Sequence, residues 1–378
     1  MIARRPLLLT PLALALAPAL ALPRAQARDV ARPGDALRPR PLVFPRDHGA
    51  HPDTRTEWWY LTGQAQDAAG REFGFQVTFF RSRVDPAQAL SGRLAARQLL
   101  FAHAAITDVA GQRLHHDERI ARWNGEPPPS PERAVFASER DTEVHIRDWF
   151  LQRRADGGYR TRLTGDTLLI ELEAEAPQTW LLQGDRGFSR KGPDAAQASF
   201  YVTQPQLRVR GTLGLAGQRF AVTGTAWLDH EWSEALLHPE AVGWDWIGMN
   251  LFEGHSLTAF QLRRADGSKL WAGGSFRAAG DAQDPNAIHR FPVGEVDFAP
   301  RRWWTSPLTR TRYPVEWAVR TPADFYTVRA RIDAQELDSR ASTGAIYWEG
   351  LSDLIDSNGR TVGRGYLEMT GYAKRLVL

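Results

Sequence analysis

Two carboxylates, an imidazole and two indoles fall within nine residues, 224–232, as Trp227, Asp229, His230, Glu231 and Trp232. Phe220, Ala221 and Val222 lead into this segment and turn residues bound it, so it reads as a strand. On a strand, alternate side chains share a face. Trp227, Asp229 and Glu231 then point one way, and Leu228, His230 and Trp232 the other. Carboxyls two positions apart lie roughly 7 Å from one another at Cα. Facing a cavity beneath an indole, such a pair keeps one carboxyl protonated and one ionised, because burial and like charge oppose double ionisation. An acid beside a base is equipment for proton transfer. For an isolated Asp-x-Glu pair the competing reading is a solvated strand end.

The elements that must position this segment are all strands. Residues 57–63 and 71–83 read as a hairpin, with Phe73, Phe75, Val77 and Phe79 on one face of the second strand. Asp85 and Pro86 suit the start of a short helix. Further strands are predicted at 98–107, 114–123, 143–152, 159–164, 168–175, 199–201 with 206–211, and 219–232. Turn signals at 108–111, 156–158 and 216–217 separate them. No amphipathic stretch sustains three helical turns. Many short strands with regular turns point to antiparallel barrels or sandwiches.

The second half repeats the first. Residues 242–250 open an aromatic strand like 57–63, and 257–264 echo 75–81. The ends match best: Gly224 to Asp229 corresponds to Gly363 to Glu368, each with an aromatic, a Leu and an acid in series. Two copies of one β unit, joined near 233–240, account for the length. The acid of the second copy is weighed evenly between function and the packing of a closing strand.

At this point the motifs together resemble a known family. Asp47, His48, Gly49, Ala50, His51 and Pro52 are followed by Glu57, Trp58, Trp59, Tyr60, Thr62 and Gly63. Residues 226–232, Gly243 to Trp246, Tyr347 to Gly350 and Gly363 to Tyr372 complete the set. These are similar to the signatures of the carotenoid 1,2-hydratase (hydroxyneurosporene synthase) and AttH-like family, over about residues 42–375. The resemblance implies an all-β fold of two tandem lipocalin-like antiparallel β-barrels. It implies water addition to a terminal isoprene double bond without a redox cofactor. The secreted branch, named as predicted hydrolases, is the nearer likeness, and other members accompany lipoprotein-type ABC exporters.

Residues 1–27 read as a secretory signal: Arg4 and Arg5, an apolar run at 7–22, and Ala25-Gln26-Ala27 as cleavage site. Arg4-Arg5 is also the core of a twin-arginine signal, which the surrounding residues fit weakly. The run is short and broken by proline for a membrane span, and no other stretch approaches one. The chain is therefore expected to be exported, to the periplasm or outside, with no transmembrane segment after cleavage near Ala27. The leader carries three of the 47 basic residues and no acid, leaving 44 bases against 44 acids. A near-neutral mature chain gives no footprint for nucleic acid. Zero cysteines exclude disulfides, thiol nucleophiles and Cys-ligated metals. The expected organisation is a signal at 1–27, an extended arm at 28–41, and lipocalin-like domains at 42–235 and 236–378.

Hydrating an alkene needs a proton donor, aromatic faces for the cation and a base for water. Asp229 or Glu231 is the expected donor, with the other carboxylate or His230 taking the proton of water. Asp245, which shares a face with Ile247 and Met249, and Glu57 complete the catalytic candidates; the alternative for Glu57 is a structural acceptor. Trp227, Trp232, Trp244 and Trp246 are candidates to line the cation site. Trp58, Trp59, Tyr201, Tyr347 and Tyr366 join them as substrate-binding candidates. Asp47, His48, His51 and Asp53 have only loose ligand spacing, with turn duty suggested by Gly49 and Pro52, so no metal is expected. No Gly-x-Ser-x-Gly elbow or glycine-rich phosphate loop occurs, and no cofactor is expected. The alternative to an enzyme on an apolar isoprenoid or lipid is a non-catalytic lipid carrier serving an ABC export system. In a carrier, the acids would pair with some of the 44 arginines.

Overall fold

The computed structural model describes residues 36–130 and 134–376; the expected signal peptide and most of the expected arm lie outside them. No helix among the described residues is long and apolar enough to cross a membrane. The chain forms two antiparallel sheets. The first holds β1 (Thr56–Asp67), β2 (Glu72–Arg83), β3 (Gln98–Asp108), β4 (Arg113–Trp123), β5 (Val135–Ala137), β6 (Glu143–Ile146) and β7 (Trp149–Arg153). It continues with β8 (Tyr159–Thr164), β9 (Leu168–Glu175), β10 (Leu181–Leu182), β11 (Phe188–Arg190), β12 (Ala198–Leu215) and β13 (Gln218–Ala235). The second sheet holds β14 (Gly243–Leu251), β15 (Ser256–Arg263), β16 (Lys269–Arg277), β17 (His289–Phe291) and β18 (Asp297–Thr305). Its remaining strands are β19 (Arg312–Arg320), β20 (Phe325–Ala330), β21 (Glu336–Ser339), β22 (Ala345–Ile355) and β23 (Thr361–Met369).

Strand order is β4-β3-β2-β1-β13-β12-β9-β8-β7-β6-β5 in the first sheet and β17-β16-β15-β14-β23-β22-β20-β19-β18 in the second. The central run β2-β1-β13-β12-β9 has its counterpart in β15-β14-β23-β22-β20, so the repeated motifs occupy equivalent strands. The expectation of two barrels needs correction. The first sheet curls until β4 packs against β5, β6 and β9, and it nearly closes. The second stays open: no ladder joins its edge strands β17 and β18. Closure requires both edges to exchange hydrogen bonds. Here β17 has three residues, and β18 carries Pro300, which has no N–H to give, beside bulges at Pro300/Arg302 and Arg302/Trp303.

Alternation fills each sheet's inner face. Trp59, Leu61, Phe73, Phe75, Val77 and Leu228 belong to one buried cluster inside the first sheet. Ile247, Met249, Val315, Trp317, Trp348 and Leu367 belong to another in the second. A third cluster, with Tyr60, Trp227, Trp246, Phe260, Leu351 and Tyr366, lies where the two sheets face one another. Residues 199–211, read from sequence as two pieces around Pro205, form one strand. A bulge between Gln204 and Leu207 absorbs the proline, with Gln206 at φ 55° and its N–H donated to Asn250 Oδ1 at 2.9 Å. The stretch predicted as one strand at 143–152 instead turns at Arg147, φ 62°, into the β6–β7 hairpin.

Gly224 lies between β1 and β12, where an added Cβ would stand 1.9 Å from Gln64 O and 2.7 Å from Ala65 Cα. Both contacts are backbone and cannot swing away. Gly224→Ala is expected to lower stability by about 1–3 kcal/mol, read as a lower urea midpoint with an unchanged slope.

Candidate active site

Antiparallel pairing places Trp58 opposite Glu231, Tyr60 opposite Asp229 and Thr62 opposite Trp227, on the outer face of the first sheet. Glu57, Trp59, His230 and Trp232 take the alternate positions and turn away. In the second sheet Trp246 stands opposite Glu368, and Glu368 opposite Glu349. These two faces enclose a cleft of about 340 Å³. Asp229, Glu231, Glu349 and Glu368 all line it, with Lys191 beside them. Its aromatic wall is Trp58, Tyr60, Tyr201, Trp244, Trp246 and Tyr347.

Each acid has a distinct environment. Asp229 is buried and accepts from Tyr201 Oη at 2.7 Å and Thr203 Oγ1 at 2.5 Å. Burial dominates over these hydrogen bonds, and with the nearby Glu231 it pushes the carboxyl up to about 7. Glu231 is held by Lys191 Nζ at 2.9 Å and by the Ser199 hydroxyl. Glu368 is partly open to the cleft, and burial with the Glu231 and Asp229 charges raises it to about 7. Glu349 is buried; desolvation and its ladder partner Glu368 push it well above the usual carboxylate range. Gln76 Nε2 donates to Glu349 Oε2 at 2.7 Å, whereas Oε1 has no partner. Like charges directly across a ladder repel, so this pair resists double ionisation. Lys191 also lies over the Tyr201 and Phe260 rings at 4.5 and 4.6 Å.

Several expected residues stand elsewhere. Glu57 reaches the cleft wall, yet its carboxylate is committed to Arg81 Nε, His51 Nδ1 and His230 Nε2, each at 2.8 Å, and is held well below the usual range. His230 therefore faces the first sheet's interior, stacked on Trp59 at 4.8 Å, with burial lowering its basicity. Trp232 stacks on His51 at 3.7 Å and packs with Phe200 and Val202, apart from the cleft. Asp245 points into the second core, bound by Arg263 Nε at 2.8 Å, Gln261 Nε2 at 2.8 Å and Tyr372 Oη at 2.9 Å. Trp227 and Tyr366 pack between the sheets without lining the cleft. His51, Glu57 and His230 bring potential ligand atoms within 4.8 Å of one another. The Arg81 guanidinium already holds that carboxylate, so a metal cation there would meet a like charge.

Sequence reasoning missed Glu349, Lys191 and His103 as site residues. It aligned Glu368 with Asp229 through the repeat and left it evenly weighed between function and packing; the structure places it on the cleft. Lys191 sits in a short loop with no periodic signal. Only tertiary packing brings His103 of β3 to the cleft lining.

The fold and site define a two-sheet, all-β protein with a carboxyl-lined aromatic cleft between its sheets. The chain belongs to the AttH-like family, whose model matches residues 35–372. A crystal structure of an AttH protein from Nitrosomonas europaea is 42% identical, with a TM-score of 0.80, covering 89% of this chain and 99% of its own. Kievitone hydratase from Nectria haematococca superposes with a TM-score of 0.65 at 13% identity, over 89% of this chain and 95% of its own, which shows a shared fold. Comparison with curated proteins returned no match.

The buried carboxyls imply a linkage. Asp229 ionises near 4 when unfolded and at about 7 when folded. Between those values the native state binds the extra proton, so stability falls as pH rises. Asp229→Asn removes this share. Its stability relative to wild type is expected to rise by up to about 1.4 kcal/mol per pH unit across that window, read from urea melts at pH 5 and 7. Parallel pH dependence of the two proteins would contradict it.

Proposed function

We propose that this chain is an acid–base enzyme that adds water to a carbon–carbon double bond of an apolar, isoprenoid-like substrate held in the cleft. The observation carrying this reading is the set of carboxyls converging on an aromatic wall, with Asp229 and Glu368 shifted up to about 7 and Glu349 pushed well above the usual carboxylate range by burial. A donor to carbon must be neutral at working pH, and burial keeps Asp229 protonated up to about pH 7. Asp229 gives its proton to the alkene carbon, leaving a tertiary cation. The indole faces of Trp58, Trp244 and Trp246 stabilise that cation. Water then forms the C–O bond and releases a proton. His230 faces the first sheet's interior, so the acceptor belongs to the cleft side. Ester hydrolysis of a lipid by the same acid–base set is the neighbouring chemistry. The fold shared with kievitone hydratase adds only that this architecture can house a hydratase.

A lipocalin-type carrier would hold its ligand inside a barrel. The first sheet's interior is filled by its own side chains, including Trp59, Phe73 and Phe75, which favours the cleft and its chemistry.

The test uses lycopene and squalene as probes, with mass spectrometry for the gain of one water. Asp229→Asn is expected to lower turnover roughly 100-fold with binding nearly unchanged, because the amide keeps the shape and loses the transferable proton. Trp244→Ala is expected to weaken binding roughly tenfold through lost apolar contact. Wild-type turnover should fall as pH rises above about 7, where Asp229 ionises. Unchanged turnover in Asp229→Asn would remove it as donor. The leader motif adds a proposal of export. The exported protein is expected to begin at Arg28 on N-terminal sequencing, and retention of Met1 would refute cleavage.

A further inference from the structure

A chain of side chains runs from the cleft wall to solvent through the first sheet's edge. Tyr347 Oη, on the cleft lining, lies 2.7 Å from His103 Nδ1. His103 Nε2 lies 2.9 Å from Ser342 Oγ, and that hydroxyl donates to Glu118 Oε2. Glu118 is the cross-strand partner of His103 on β4, and its side chain is 17% exposed, so the chain ends at water. Tyr347 and His103 are buried.

Hydrogen-bond bookkeeping assigns a direction to the protons. The Ser342 hydroxyl has two acceptors, Glu118 Oε2 and, at the longer 3.4 Å, Ser339 O; its single proton goes to the nearer carboxylate. Ser342 Oγ must then accept from His103 Nε2–H. His103 is neutral, because burial lowers it to about 3, so its Nδ1 is bare and accepts from the Tyr347 hydroxyl. All three donors point outward. Gln76 Nε2 spans the inner end, 2.7 Å from Glu349 Oε2 and 3.3 Å from Tyr347 Oη. This amide fixes the tyrosine beside the buried acid pair.

We infer that Tyr347, His103, Ser342 and Glu118 form a proton exit from the cleft, with Tyr347 taking the proton released by the attacking water. The inference rests on the acid–base reading of the cleft and supplies its missing acceptor. As the C–O bond forms, an O–H bond of the water breaks and its proton passes to Tyr347 Oη. The tyrosine's own proton moves to His103 Nδ1, the Nε2 proton to Ser342 Oγ, and the serine's proton to the Glu118 carboxylate. Glu118 then returns it to bulk water, and Asp229 recovers a proton from water entering the cleft mouth. Charge and atoms balance without a co-reactant; the ring is left as its Nδ1–H tautomer, and exchange of that proton with water in the open cleft, with reprotonation of Nε2 through Glu118 and Ser342, resets the path. Tyr347 is the catalytic residue of this set. His103, Ser342 and Glu118 act through it.

The test has one arm that needs no substrate. In protein carrying ¹⁵N-labelled histidine, with the His103 signal assigned by its loss in His103→Gln, the ring is expected as the Nε2–H tautomer. Exchange of that N–H with water is expected to slow about tenfold or more in Glu118→Gln, whose amide oxygen accepts the bond but cannot take up and release the proton. An Nδ1–H tautomer, or exchange unchanged by Glu118→Gln, overturns the path. The second arm uses lycopene. Glu118→Gln and Tyr347→Phe should lower kcat about tenfold or more with KM unchanged. Turnover of His103→Ala should be restored by imidazole and not by pyrrole, which has the shape without the basic nitrogen. Slowed exchange with full turnover in Glu118→Gln overturns the catalytic use of the path. If wild type does not hydrate lycopene, the exchange arm still decides the path, and the failure falls on the proposed reaction.

Discussion

The ladder between β1 and β13 sets Tyr60 opposite Asp229 and Trp58 opposite Glu231. A slip of one residue would send both carboxyls into the first sheet's interior and bring His230 and Trp232 out. The register is pinned from both sides. The inner face buries Trp59, Leu61 and Leu228, and Glu57 on that face is anchored to Arg81 across β2. Removing either partner of a buried ion pair typically costs about 3–5 kcal/mol, so Glu57 and Arg81 resist exposure together. The cleft chemistry depends on an interaction on the opposite face of the same strands.

The distribution of cations separates the acids. Glu57 with Arg81, and Glu72 with Arg331 and Arg364, are held low, whereas burial raises Asp245 in spite of Arg263. Among the described residues, no arginine forms an ion pair with Asp229, Glu349 or Glu368. Desolvation is then opposed only by hydroxyl, amide and indole donors, which are too weak to hold the charge. Lys191 pairs with Glu231. One cleft therefore holds a carboxylate paired with Lys191 beside carboxyls whose pKa values are raised.

The repeat also explains why the cleft lies where it does. Equivalent strands of the two sheets present their outer faces to one another, so Asp229 of the first copy and Glu368 of the second converge. Cross-sheet bonds hold this contact: Trp246 Nε1 donates to Tyr201 Oη at 3.1 Å, and Thr107 Oγ1 to Gln335 Oε1 at 2.8 Å. The first sheet can nearly close and the second can stay open without disturbing this contact, because the meeting strands are central in both.

Strand alternation, read from residues 224–232, already separated Asp229 and Glu231 from His230 and Trp232. The internal repeat and the all-β class were equally legible, because a period of two and matched motifs are local properties. What the sequence left open was which face of each strand meets the other sheet. It therefore grouped Asp245 and Glu57 with the cleft acids, although their arginine partners lie on neighbouring strands. It also treated both halves as barrels, since closure depends on edges meeting in space and not on strand pattern. The pairing of Glu349 with Glu368 is set by register within the second sheet, and Lys191 reaches Glu231 from a loop of the first half. The line from Tyr347 through His103 to Glu118 joins residues up to 244 positions apart and arises only when two separately patterned sheets dock, so tertiary structure alone decided it.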